Sequence, residues 1–168
     1  MNFLYRFGRL SAILAIISIA GCASYVEPEA SFVHYSSPWQ GRLSLRITPE
    51  QGQAQSFSAE FELSGNEQAG ELTLYSPLGS TAAAMKWNPQ SATMRANGEI
   101  KHFASLGELL REAVGTELPV HALFAWVAGE PELANGWRAD LTDYAKGRIK
   151  ARRQEPTPAA ELNLVMTR

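Results

Sequence analysis

Leu43, Leu45 and Ile47 alternate with Arg42, Ser44 and Arg46. The same two-residue period runs through Phe57, Ala59, Phe61 and Leu63, set against Ser56, Ser58, Glu60 and Glu62. It continues in Leu72 and Leu74, set against Glu71, Thr73 and Tyr75. Successive side chains of a strand point to opposite faces, so this period predicts antiparallel strands with one dry and one wet side. A further strand is predicted over Thr81–Trp87, with Thr81, Ala83, Met85 and Trp87 on one face, and short ones over Ala92–Ala96 and Glu99–His102. Ser64-Gly65-Asn66-Glu67 and Asn97-Gly98 mark hairpin connections, because Asn and Gly accept the positive φ angles of tight turns.

The period then lengthens. Leu106, Leu109, Leu110, Ala113 and Val114 fall on one face of a helix. Ser105-Leu106-Gly107-Glu108 has the form of a capping box before it, and Gly115 closes it. A second short helix is predicted from near Pro119. Val120, Leu123, Phe124 and Val127 form its stripe, Trp126 lies beside it, and Gly129 and Pro131 stop it. Strand patterns resume at Trp137–Leu141, Arg148–Gln154 and Glu161–Met166, with Pro156 and Pro158 in the last turn. Strands, two helices, then strands again imply a mainly β domain over residues 39–168, an antiparallel sheet with a helical insertion packed on its dry face.

The N-terminal segment has a different pattern. Arg6 and Arg9 precede an apolar run of about a dozen residues, shorter than the ~20 that span a bilayer. This is the layout of an export signal over residues 1–21. The run ends in Ile19-Ala20-Gly21-Cys22, which resembles a bacterial lipobox. Cys22 is the one cysteine of the chain, so it has no intramolecular disulfide partner, and a covalent lipid would give it a role. Ala23 at the next position favours the outer membrane. Ala23–Pro38 lacks periodicity and is expected to be a tether, with a short ordered piece near Phe32–Tyr35. Extended, it would reach roughly 50 Å.

A net charge of −2 on 168 residues argues against nucleic acid as a partner. His34, His102 and His121 stand apart, and no metal-binding spacing, phosphate loop or G-x-S-x-G elbow occurs. Asp140 and Asp143 are the only paired-carboxylate candidates, and a solvated turn is the simpler reading of them. No enzyme, metal or cofactor is therefore expected, apart from a covalent lipid on Cys22. Lys146, Arg148, Lys150 and Arg152 recur at every second residue and offer a basic face for an acidic partner or lipid headgroups. In Tyr75–Ala83, Leu78 stands at a turn apex between Pro77 and Gly79, where polar residues are usual. Such a leucine either folds back onto a strand or protrudes.

Three stretches together resemble the LolB family: Phe61–Trp87 with its PLGST turn, Ser105–Pro131 with its LPVHALFAWVAG helix, and the later GWRADL and GRIKARR. The family resemblance implies an unclosed antiparallel β-barrel, lidded by helices over an apolar cavity for acyl chains. It implies a monomeric outer-membrane lipoprotein on the periplasmic side. Such a protein takes lipoproteins from the carrier LolA and inserts them into outer-membrane lipid. The patterns then nominate Leu43, Leu45, Phe57, Phe61, Leu63, Leu72 and Leu74 from the sheet as cavity wall, with Leu106, Leu110, Leu123, Phe124 and Val127 from the helices. Pro77, Leu78 and Gly79 become a membrane-insertion loop. The alternatives are an outer-membrane scaffold or assembly module with a filled core, and a hydrolase using Asp140, Asp143 and the histidines.

Overall fold

The computed structural model describes residues 38–114 and 116–167. The export signal, Cys22, the tether with its Phe32–Tyr35 piece and His34, and Gly115 lie outside the described residues.

Ten strands form one antiparallel sheet in the order β6-β5-β4-β3-β2-β1-β10-β9-β8-β7. They are β1 Trp39–Thr48, β2 Gln55–Gly65, β3 Gly70–Tyr75, β4 Thr81–Asn88, β5 Ser91–Ala96, β6 Glu99–Phe103, β7 Leu133–Ala134, β8 Trp137–Asp140, β9 Arg148–Arg153 and β10 Ala159–Thr167. Each half is a meander, and β10 joins the halves by pairing with β1. The sheet is left unclosed, with β6 and β7 as its edges. Helices α1 Leu106–Val114 and α2 Val120–Ala128 follow β6 and precede β7. The connection that carries them must therefore run from one edge of the sheet to the other.

The alternation in sequence is the inner face in space. Cross-strand neighbours include Leu164–Leu43–Ala59, Leu162–Leu45–Phe57, Phe61–Leu74, Leu63–Leu72–Met85 and Trp87–Ala92. Their mutual packing stabilises the sheet. Asn97-Gly98 turns with φ of 53° and 81°, the left-handed geometry its residue types predict. Ser105 and Glu108 cap the helix much as the sequence predicts: the Glu108 N–H donates to Ser105 Oγ at 3.2 Å, while the Glu108 carboxylate reaches one residue past the N-cap and accepts from the Ala104 N–H at 2.9 Å. Lys101 on edge strand β6 pairs with Glu112 of α1 at 3.6 Å.

Several placements differ from the sequence reading. β7 was not predicted, because two residues carry no period. The turn Asn135-Gly136, with both φ positive, was its available signal. Thr81 does not join the inner row of Ala83, Met85 and Trp87. A register shift after Leu74 leaves it exposed opposite Tyr75. Trp126 is not beside the working face of α2 but fully buried, tilted 51° against Trp137 at 6.3 Å. Helix α2 thus has two apolar sides: Ala122 and Trp126 pack into the core, while Val120, Leu123 and Phe124 stay half-buried.

Gly70 holds the β2–β3 hairpin close. A Cβ there would lie 2.3 Å from the Ser64 carbonyl oxygen and 2.5 Å from the Trp87 ring. The Trp87 indole meanwhile donates to the Asn66 carbonyl at 2.8 Å. Gly70→Ala is expected to cost about 1–3 kcal/mol, the usual toll of overpacking, read as a lowered urea midpoint with unchanged slope.

A candidate apolar cavity and an exposed leucine

Between the inner sheet face and the helices lies a cavity of about 110 Å³. Its wall brings together all twelve nominated side chains. Leu43, Leu45, Phe57, Phe61, Leu63, Leu72 and Leu74 come from β1–β3, and Leu106, Leu110, Leu123, Phe124 and Val127 come from the helices. The sequence reading missed Met85 and Trp87 on β4, Leu162 and Leu164 on β10, Val114, Val120, and Leu118 in the helix connection. Met85, Trp87, Leu162 and Leu164 were visible as the same alternation, since they continue the dry face across the register. Every wall residue is apolar in character. Such a space does not attract water, which needs polar partners to be held, and it suits only an apolar occupant. Its volume is below the ~300 Å³ at which small-molecule pockets begin, so a long occupant requires the helices to move outward.

The two ends of the strands differ. At the Trp39 end, Phe124 of α2 meets Trp39 edge-on at 6.1 Å and Trp87 at 6.2 Å. At the other end, Arg153 lies on the inner face and is 4% exposed. It donates from Nη2 to Thr116 Oγ1 at 2.6 Å and to the Pro158 carbonyl at 2.9 Å, and from Nη1 to the Glu117 carbonyl at 3.2 Å. Its guanidinium sits 5.4 Å from the Trp137 ring centroid. Burial pushes its pKa below the ordinary arginine value, and Glu117 partly restores it. Arg153 therefore fastens the α1–α2 connection to the sheet. It adjoins Arg152 of the basic row in sequence but is out of phase with that row and faces inward.

The turn after β3 is tightly built. The Ser76 N–H donates to the Ser80 carbonyl at 2.8 Å, the Gly79 N–H to the Ser76 carbonyl at 2.9 Å, and the two serine hydroxyls lie 2.8 Å apart. Gly79 has φ of +79°, which glycine adopts at little cost. The result is that Leu78 stands out, 95% exposed. It does not fold back on a strand.

Arg148, Lys150 and Arg152 share the outer face of β9, all exposed. Lys146 does not share that face. It lies in a 3-10 turn over Tyr144–Lys146, ended by Gly147 at φ 74°, and its Nζ is 2.7 Å from Asp143. The glycine breaks the extended backbone that the two-residue spacing suggested. Arg152 faces Glu161 of β10 at 3.4 Å.

Asp140 is the exposed last residue of β8, and Asp143 lies half-buried in the turn that follows. Hydrogen bonds from Thr142 hold Asp140 below the ordinary carboxylate range, and the hydrogen bond and charge of Lys146 do the same for Asp143. A general acid working near neutral pH needs the opposite shift. Among the described residues no group of three or more His, Cys, Asp or Glu could hold a metal ion, and no helix is long and apolar enough to cross a membrane.

Residues 37–160 match the family model for the outer membrane lipoprotein LolB. The chain belongs to the LolB family. Its relatives include proteins named outer-membrane lipoprotein LolB from several bacteria. That of Shewanella loihica is 28% identical over 137 residues, covering 77% of this chain and 61% of the relative. That of Bordetella petrii is 30% identical over 123 residues, covering 73% and 61%. That of Bordetella pertussis is 28% identical over 177 residues, covering 92% and 89%. The chain thus spans about three-fifths of the length of the first two. The LolB match covers the whole β1–β9 region and both helices, and so contains most of the cavity wall and the Leu78 turn.

Proposed function

We propose that this LolB-family domain receives acylated lipoproteins from the carrier LolA, holds their acyl chains in the cavity, and delivers them to the outer membrane. On this reading it is exported by residues 1–21, acylated on Cys22, and held on the periplasmic face of that membrane by the lipid and the 23–38 tether. It works without cofactor or nucleotide. The observation that carries the proposal is the wholly apolar wall between sheet and helices.

The energetics fit the role. Burial of an acyl chain gains about 0.8 kcal/mol per CH₂, so a multiply acylated protein cannot cross water unshielded at a useful rate. With no energy source, the transfer must run downhill in affinity from carrier to receptor to bilayer. The helices are the part of the wall able to yield, because the sheet is a continuous hydrogen-bonded layer. Leu78 contacts the bilayer at release. The exposed row Arg148, Lys150 and Arg152, with Lys146 beside it, docks an acidic surface of the carrier or anionic headgroups.

The test is transfer in solution. A Cys22→Ala chain mixed with a LolA–lipoprotein complex is expected to take over the cargo. Retention of all cargo by LolA would refute the proposal. A filled-core scaffold is distinguished by Leu72→Trp, which adds bulk at a half-buried wall position. With an empty cavity, stability should change by less than about 1 kcal/mol and acyl binding should fall at least tenfold. A filled core would instead lose ~1–3 kcal/mol, seen in the urea midpoint.

A further inference from the structure

Of the nineteen side chains in the cavity wall, Phe57 alone is exposed, at 42%. Its place in the sheet explains this. β2 is paired with β3 only from Glu60, which faces Tyr75. Phe57 lies beyond that point, paired with Leu45 of β1 on one side only. Beyond Tyr75 the chain enters the Ser76–Ser80 turn that projects Leu78. Phe57 on β2 and the Leu78 turn that follows its neighbour β3 therefore lie at the same end of the sheet.

The helix side of this end is also defined. Arg153 pairs with Ala160, which pairs with Ile47, two residues past Leu45. The same Arg153 binds Thr116 and Glu117. Val114 and Leu118, which neighbour Thr116 and Glu117 in sequence, also line the cavity, so helix-side apolar residues join the wall where the connection is tied to this end of the sheet. At the far end, Trp39, Phe124 and Trp87 pack ring against ring. The one exposed residue of the wall, Phe57, thus lies at the end away from this aromatic cluster.

We infer that acyl chains enter and leave the cavity between Phe57 and Val114, at the Leu78 end of the domain. This rests on the receptor reading above and adds the route to it. A chain sliding over Phe57 meets the bilayer where Leu78 touches it, so the apolar path is continuous and little acyl surface faces water during release. Phe57 is then a positioning residue at the portal, and it should govern exchange rates more than affinity.

The inference is tested with the Cys22→Ala chain carrying Phe57→Cys, in which the introduced cysteine is the only one. It is labelled with a bulky polar maleimide after loading with a fluorescent fatty acid. Release into phosphatidylethanolamine–phosphatidylglycerol vesicles is then timed. Label at residue 57 is expected to slow release at least tenfold. The same label on Gln90→Cys, in the exposed β4–β5 turn at the opposite end, should change it less than twofold. Release at residue 57 within twofold of the unlabelled variant overturns the portal, as does an equal slowing from residue 90. If Phe57→Cys does not fold, Val114→Cys on the helix side reports the same step. If the unlabelled chain takes up no fatty acid at all, the receptor reading fails first, and the portal with it.

Discussion

Arg153→Ala is expected to cost the domain about 3 kcal/mol or more. Three acceptors lose their donor at once: the Glu117 and Pro158 carbonyls and the Thr116 hydroxyl, which is itself in a buried residue. Hydrogen bonds from a charged donor contribute roughly 1.5–3 kcal/mol each, and burial of the guanidinium offsets part of that gain. The contact with Trp137 goes too. For a protein whose total stability lies in the usual range of ~5–15 kcal/mol, the loss is large. Arg153→Lys should recover little, since an ammonium lacks the planar fork that reaches three acceptors. Urea unfolding checks both variants. A loss below about 1 kcal/mol for Arg153→Ala would mean that the fastening of the helix connection to the sheet is not structural. The same substitution should loosen the helices, so acyl release in the surviving folded fraction is expected to quicken.

Leu78→Glu should have the opposite profile, with a large functional loss and none in stability. The side chain touches almost nothing, being 95% exposed, and surface changes of this kind usually stay within about 0.5 kcal/mol. Burying one leucine in lipid contributes roughly 1.5–3 kcal/mol. That is too little to anchor a protein and enough to bias a brief encounter with the bilayer. A glutamate at the same apex reverses the preference. Cargo acceptance from LolA should remain near wild type, whereas delivery to vesicles should fall at least tenfold. If acceptance and delivery fall together, or neither does, Leu78 does not act at the membrane. The serine-tied turn beneath it makes the experiment clean, because its hydrogen bonds are to backbone and hydroxyl groups that the substitution leaves in place.

The strands and the dry face were legible because a sheet with one solvated side imposes a strict two-residue period. Leu43 to Ile47, Phe57 to Leu63 and Leu72 to Leu74 display it without interruption. The same rule placed the cavity wall, since an empty apolar space and a filled one ask for the same residue types. What distinguishes them, the spacing between sheet and helices, is a tertiary property and has no trace in periodicity. Arg153 was hidden for a related reason. It adjoins Arg152 in a basic run, and only the phase set by Ile149 and Ala151 shows that it points inward. Trp126 was misjudged because α2 is apolar on two sides, so a single stripe cannot describe it. Lys146 kept the spacing of the basic strand, but Gly147 changes the backbone between them. The family resemblance supplied the lid and the open barrel, which alternation alone does not give.

On the proposed function, an acyl chain occupies the space between sheet and helices. Trp87 lines that space, whereas Trp126 and Trp137 are buried apart from it. Tryptophan fluorescence titrated with a brominated fatty acid tests the claim most directly. Saturable quenching is predicted, and Trp87→Phe should remove most of it while leaving the affinity within about twofold. Absence of saturable quenching, or quenching that persists unchanged without Trp87, would contradict the account.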